Sequence, residues 1–208
     1  MTKDFNLGER NPKIILIGGA SYVGKSTLSL ILGNKLNIKQ IVDIDVIREV
    51  LRGEKSKSKY PYFHYCSTTA WQHGKEGLTK LNLIKSYEKY CKTLFPSVKR
   101  VINRVYVLGK DTIIEGVHII PSLYQEYLKK KNVHMIILTV DENRHLKNLE
   151  ERRKEFKGKR MKEYYKRLPN ARLIQEFLII NAKKCNVKCI NNSSLNKTLQ
   201  NTLEIIGR

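Results

Sequence analysis

Short apolar runs alternate with stretches of helical spacing along the whole chain. Residues 13–17 form a β-branched run that stops at Gly18-Gly19, after which Leu28, Ile31, Leu32 and Leu36 return at three- and four-residue intervals. That pattern reads as strand, tight loop, helix. Residues 40–44 predict a second strand leading into a helix over 46–52, and residues 112–115, 133–140 and 187–190 predict three more strands. Runs this short and this apolar suit strands covered on both faces of a parallel sheet. The expectation is an α/β fold, a five-stranded parallel sheet sandwiched by helices.

Between the second and third runs, residues 55–110 form a long insertion. It opens with a polar and aromatic stretch over 55–71 and continues into helical sequence interrupted by Pro96, predicting one helix through Leu78, Leu81, Ile84 and Tyr87 and a second through Val98, Val101, Ile102 and Val105. After the fourth run comes the most basic part of the chain, residues 144–170, expected to act as a lid. A helix over 171–184, the fifth strand and a helix over 195–206 close the sequence. Residues 1–208 are thus expected to form a single domain.

Composition narrows the classes. With 41% hydrophobic and 28% charged residues among 208, the chain can bury a core. Its apolar runs are far shorter than the roughly 18 residues needed to span a bilayer. The charged residues 1–10 do not resemble a signal peptide, so a cytoplasmic protein without membrane contact is expected. The four cysteines, Cys66, Cys91, Cys185 and Cys189, lack the spacing of a zinc site and are expected to be reduced thiols, with Cys189 buried in a strand. The net charge of +21 sets up a field that concentrates anions, whether nucleic acid or phosphorylated and carboxylated metabolites.

The chemistry is concentrated in a few places. Gly19-Ala20-Ser21-Tyr22-Val23-Gly24-Lys25-Ser26, followed by Thr27, matches the phosphate-binding loop G-x-x-x-x-G-K-[ST] between the strand and helix that this motif requires. Glycines let the backbone close round phosphates, and the helix N-terminus offers them partial positive charge. Lys25 is expected to reach the terminal phosphates, and Ser26 to hold Mg²⁺.

Acidic residues at the ends of other strands indicate what is done with the nucleotide. Asp43 and Asp45 end the second strand, where ligands bind in open α/β sheets. A carboxylate there can orient or deprotonate an attacking hydroxyl, and Arg48, one helical turn on, can clamp an acceptor phosphate or carboxylate. Asp45 could equally be a helix N-cap and Arg48 a surface residue. Glu115, ending the third strand, is a candidate metal and substrate ligand, and His118 a candidate substrate contact that could equally be structural. In the basic stretch, Arg144, Arg152, Arg153 and Arg160 are candidates to neutralise the transferred group, with Arg152 and Arg153 the expected catalytic pair. The same charge could instead hold a nucleic-acid backbone, with Tyr164 and Tyr165 as stacking candidates. A GTPase switch is disfavoured, because Asn196-Lys197-Thr198-Leu199 lacks the closing Asp of a guanine-specificity motif.

With these residues in place, the chain resembles the archaeal 2-phosphoglycerate kinase family, within the P-loop kinases. The resemblance rests on residues 17–27, on Asp45-Val46-Ile47-Arg48-Glu49-Val50, on Ile114-Glu115-Gly116-Val117-His118 followed by Pro121, and on residues 172–178. It implies ATP phosphates on Gly19, Gly24, Lys25 and Ser26, Mg²⁺ on Ser26, and Asp45 near the acceptor hydroxyl of a small phosphorylated acid, most readily 2-phosphoglycerate. The Asp-x-x-Arg arrangement is also similar to that of polynucleotide 5′-kinases. An RNA or DNA kinase is therefore the alternative.

Overall fold

The computed structural model describes residues 11–74, 77–153 and 160–207, with the side chains of residues 153, 160 and 161 outside that description. Five strands, β1 (Ile14–Gly19), β2 (Gln40–Asp43), β3 (Thr112–Gly116), β4 (Val133–Thr139) and β5 (Lys188–Asn191), form one parallel sheet in the order β2-β3-β1-β4-β5. The expected α/β architecture is borne out. Helices α1 (Lys25–Leu36), α2 (Ile44–Glu54), α3 (Lys80–Leu108), α4 (Gln125–Leu128), α5 (Glu142–Arg153) and α6 (Arg160–Lys184) lie between the strands, and α7 (Leu195–Ile205) follows β5.

The central strand explains the layering. All six residues of β1 are buried, and alternate side chains serve opposite faces: Ile15 and Ile17 join one apolar core, Ile14 and Leu16 the other. Each such burial stabilises by about 1.5–3 kcal/mol. The edge strand β5 behaves differently. Only Ile190 is buried there, and Cys189 is exposed, correcting the expectation of a buried thiol. A strand with a neighbour on one side only has half the cover that the sequence pattern suggested.

Pro96 does not divide two helices. Residues 80–108 form one 29-residue helix with Pro96 inside it, because its halves pack on different faces of the sheet. Leu83, Tyr87, Tyr90 and Leu94 enter one core; Val98, Ile102 and Val105 enter the other. Burial on both sides offsets a helix-interior proline that costs roughly 3 kcal/mol. Likewise α6 runs through Pro169 and begins at Arg160 rather than near residue 171. Among the described residues no helix is long and apolar enough to cross a membrane.

Candidate active site

The site lies at the carboxyl ends of β1, β2 and β3, and strand register sets its level. Asp43 pairs with Glu115 across β2 and β3, and Glu115 pairs with Ile17 of β1. Beyond β1 the chain turns through Gly19 at φ 149°, Tyr22 at φ 66° and Gly24 at φ 92°. A Cβ at Gly19 would sit 2.6 Å from the Leu138 carbonyl oxygen, and one at Gly24 would collide with the Asn192 amide, so both glycines are required by space as well as by backbone angle. Ala20 and Val23 are buried beneath the loop, whereas Ser26 and Thr27 are exposed in the first turn of α1. That turn has no capping side chain and no acidic residue, which leaves its N–H groups for an anion.

Three carboxylates approach Lys25. Its Nζ donates to the Ala20 carbonyl at 2.9 Å. Burial pushes the Lys25 pKa down, and Glu115, Asp45 and Asp43 oppose that by favouring the ammonium. Glu115 is buried and accepts from the Ser26 hydroxyl at 2.5 Å. Burial raises its pKa, while Lys25 and the Ser26 hydrogen bond act in the other direction.

The two aspartates have different tasks. Asp43 caps α2, accepting from the Asp45 N–H at 2.8 Å, so the N-cap is Asp43 and not Asp45. Asp45, the second residue of α2 and half exposed, receives the Arg48 guanidinium at 3.2 Å. Burial alone would raise its pKa, but His118, Arg48 and Lys25 together hold it below the usual carboxylate range. His118 itself is neutral above about pH 4, so at neutral pH the two cations carry that effect.

Arg48 also donates to the carbonyls of Phe63 and Tyr65 at 3.3 and 3.4 Å, tying α2 to the start of the insertion. From the other side, Arg167 of α6 donates to Cys66 Sγ at 3.7 Å, and Asn170 donates to the Thr68 carbonyl at 2.9 Å. The segment from Phe63 to Thr68 is thus held between two guanidiniums. His118 is 1% exposed and meets the Tyr90 hydroxyl at 2.6 Å. Arg152 places its guanidinium 5.9 Å from the centre of the Tyr22 ring, and with Arg144 it lines a hollow of about 350 Å³ over Gly24, Lys25 and Ser26. Arg153 ends α5 and Arg160 begins α6, but their side chains, like residues 154–159 of the expected lid, lie outside the described residues.

The donor set suits a nucleotide phosphate chain with Mg²⁺. Hard oxygens on Ser26 and Glu115 sit beside Lys25, and the hydroxyl that gives its hydrogen to Glu115 keeps lone pairs for a cation. Among the described residues no cluster of three metal-ligating side chains exists. Sequence reasoning did not find Tyr90, Arg167 or Asn192, whose roles depend on contacts between distant segments.

The chain is 32% identical over 198 residues to the 2-phosphoglycerate kinase of Methanocaldococcus jannaschii, covering 95% of this chain and 64% of the relative. The 2-phosphoglycerate kinase of Pyrococcus horikoshii matches at 32% over 196 residues, with 94% and 64% covered. The chain therefore spans about 64% of the length of these curated relatives. No family model matches it. Among solved structures, shikimate kinase from Acinetobacter baumannii in complex with shikimate superposes with a TM-score of 0.55 at 14% identity, covering 95% of this chain and 94% of that one. A gluconokinase from Sinorhizobium meliloti gives 0.53 at 12% identity, with 96% and 94% covered. The fold is that of the P-loop kinases, and the resemblance to archaeal 2-phosphoglycerate kinases is borne out.

Proposed function

From that likeness to archaeal 2-phosphoglycerate kinases as premise, we propose that the protein is an ATP-dependent, Mg²⁺-requiring kinase that phosphorylates the free hydroxyl of 2-phosphoglycerate. The observation that carries this reading is the convergence of Lys25, the Ser26–Glu115 pair and the Asp45–Arg48 pair at the carboxyl end of the sheet. We read residues 1–208 as one kinase unit, 55–110 as an insertion that helps build the acceptor side, and 144–170 as a basic lid.

When bound, Mg·ATP supplies the transferable phosphoryl group, with Mg²⁺ neutralising charge on its oxygens. The loop from Gly19 to Thr27 receives the phosphates, and Lys25 neutralises charge that develops on the transferred group. Ser26 and Glu115 would hold the cation. Asp45, kept ionised, accepts the hydrogen of the acceptor hydroxyl and aims its oxygen; in a loose transition state this orientation counts for more than basicity. A bond forms from that oxygen to the γ-phosphorus, the bond to the bridging oxygen of ADP breaks, and the hydroxyl proton leaves through Asp45. Arg48 beside Asp45 meets the acceptor's anionic groups, and Arg152 approaches the phosphates from α5. An acceptor bearing two anionic groups suits these guanidiniums better than a neutral sugar does.

Transfer of labelled γ-phosphate to 2-phosphoglycerate, glycerate, nucleosides and 5′-hydroxyl RNA or DNA, at low and high salt, tests the reading. Salt-tolerant labelling of 2-phosphoglycerate is expected. Labelling of RNA or DNA that fades steeply with salt would overturn it in favour of a polynucleotide kinase, since each backbone phosphate neutralised releases counterion.

A further inference from the structure

Four consecutive carbonyls of the phosphate-binding loop are each held by one side chain. Lys25 Nζ donates to Ala20 O at 2.9 Å, His145 Nε2 to Ser21 O at 2.7 Å, Asn148 Nδ2 to Tyr22 O at 2.7 Å and Asn192 Nδ2 to Val23 O at 2.9 Å. A carbonyl can only accept, so His145 carries its hydrogen on Nε2. His145 is fully buried, its Nδ1 meets no partner among the described residues, and burial holds its pKa below the ordinary value. Asn192 is aimed in turn, because its Oδ1 accepts from Thr198 Oγ1 at 2.9 Å and its N–H donates to Thr139 O at 2.8 Å.

The peptide unit converts these contacts into a statement about ligand binding. C=O and N–H lie on opposite sides of a planar trans peptide. Fixing the carbonyls of residues 20 to 23 therefore fixes the N–H directions of Ser21, Tyr22, Val23 and Gly24, the groups that such a loop offers to phosphate oxygens. Tyr22 sits at φ 66°, a conformation that costs a non-glycine residue roughly 1–2 kcal/mol. The Asn148 hydrogen bond to its carbonyl and the edge contact of its ring with Tyr164 at 6.0 Å hold it there.

We infer that His145, Asn148 and Asn192 are positioning residues that preset the loop's N–H groups for phosphate, and that α5 sets nucleotide affinity through His145 and Asn148 as well as through its arginines. The two residues stand one turn apart on α5, the helix that also carries Arg144 and Arg152. A movement of α5 is consequently felt in the loop backbone. The inference rests on the nucleotide-binding part of the proposed function and needs no particular acceptor.

The test is calorimetric binding of ADP and of adenosine to the full chain and to His145→Ala, His145→Gln, Asn148→Ala and Asn148→Asp, with thermal unfolding of each. One neutral hydrogen bond at about 1 kcal/mol corresponds to about a fivefold loss of ADP affinity. His145→Ala and Asn148→Ala should each show at least that. The isosteric Asn148→Asp, whose carboxylate faces a carbonyl and cannot donate, should show more. Adenosine affinity should be unchanged, and His145→Gln, which restores a donor, should recover most of the ADP affinity. ADP binding within twofold of the parent in folded Asn148→Asp and His145→Ala would overturn the inference alone. A parent chain that binds no ADP would overturn the nucleotide reading beneath it.

Discussion

The Ser26 hydroxyl donates to Glu115 at 2.5 Å across 89 residues of sequence, joining the first turn of α1 to the end of β3. Glu115→Gln preserves shape but removes the charge that would hold a divalent cation beside Lys25. The expected result is a fall in kcat of about 100-fold, the scale of losing one preorganised electrostatic group, with a higher half-saturating Mg²⁺ concentration. Unchanged Mg²⁺ saturation in steady-state assays would remove Glu115 from the cation site.

Asp45 and Arg48 should separate chemistry from binding. Asp45→Asn is expected to lower kcat by about 10²–10⁴, the range associated with general acid–base groups, while ADP affinity stays within twofold of the parent. Arg48→Lys keeps the charge but loses the fork that meets Asp45 and two backbone carbonyls. Its defect should fall mainly on KM for the acceptor. Equal losses in nucleotide and acceptor saturation would place both residues outside the acceptor site.

The buried His118 makes stability depend on pH. Its folded pKa of about 4 lies below the ordinary 6.5, so between those values the unfolded chain binds more protons and stability rises with pH. The contribution is present above pH 6.5 and is lost as pH falls through about 4. At about 1.4 kcal/mol per unit, the parent should lose roughly 2 kcal/mol more than His118→Gln between pH 7 and pH 5. Parallel urea curves at the two pH values would measure it; identical pH slopes in parent and variant would show that His118 does not titrate as a buried neutral group.

Pro96→Ala restores an N–H inside α3. The regained helix bond, up to about 3 kcal/mol, should exceed the entropy the proline removed from the unfolded chain, about 0.4–1 kcal/mol. A net gain of about 1–2 kcal/mol is expected in chemical denaturation. A net loss would mean that the two halves meet their separate cores only with the proline in place.

What the sequence made legible was local. The phosphate-binding loop, its flanking strand and helix, and the acids ending β2 and β3 were readable because each is a short pattern with a fixed neighbour. Asp43 as the cap of α2 was missed by a one-residue shift of the strand end, which moved the cap from Asp45 and left that carboxylate for Arg48. Pro96 misled because local propensity says nothing about what each half of a helix will bury. His145 and Asn192 meet loop carbonyls 124 and 169 residues away, and no periodicity marks such a contact. The exposure of β5 likewise follows from its place at the sheet edge, which run length does not encode.

The place of β1 between β3 and β4 has a kinetic corollary. A buried strand with partners on both sides gives up its amide hydrogens only when the whole molecule opens, whereas an edge strand such as β5 exchanges through smaller excursions. The phosphate-binding loop thus hangs at one end from a strand expected to exchange slowly, and through Asn192 it is tethered beside one expected to exchange faster. Breathing at the β5 edge would reach the bound phosphates long before the sheet itself came apart.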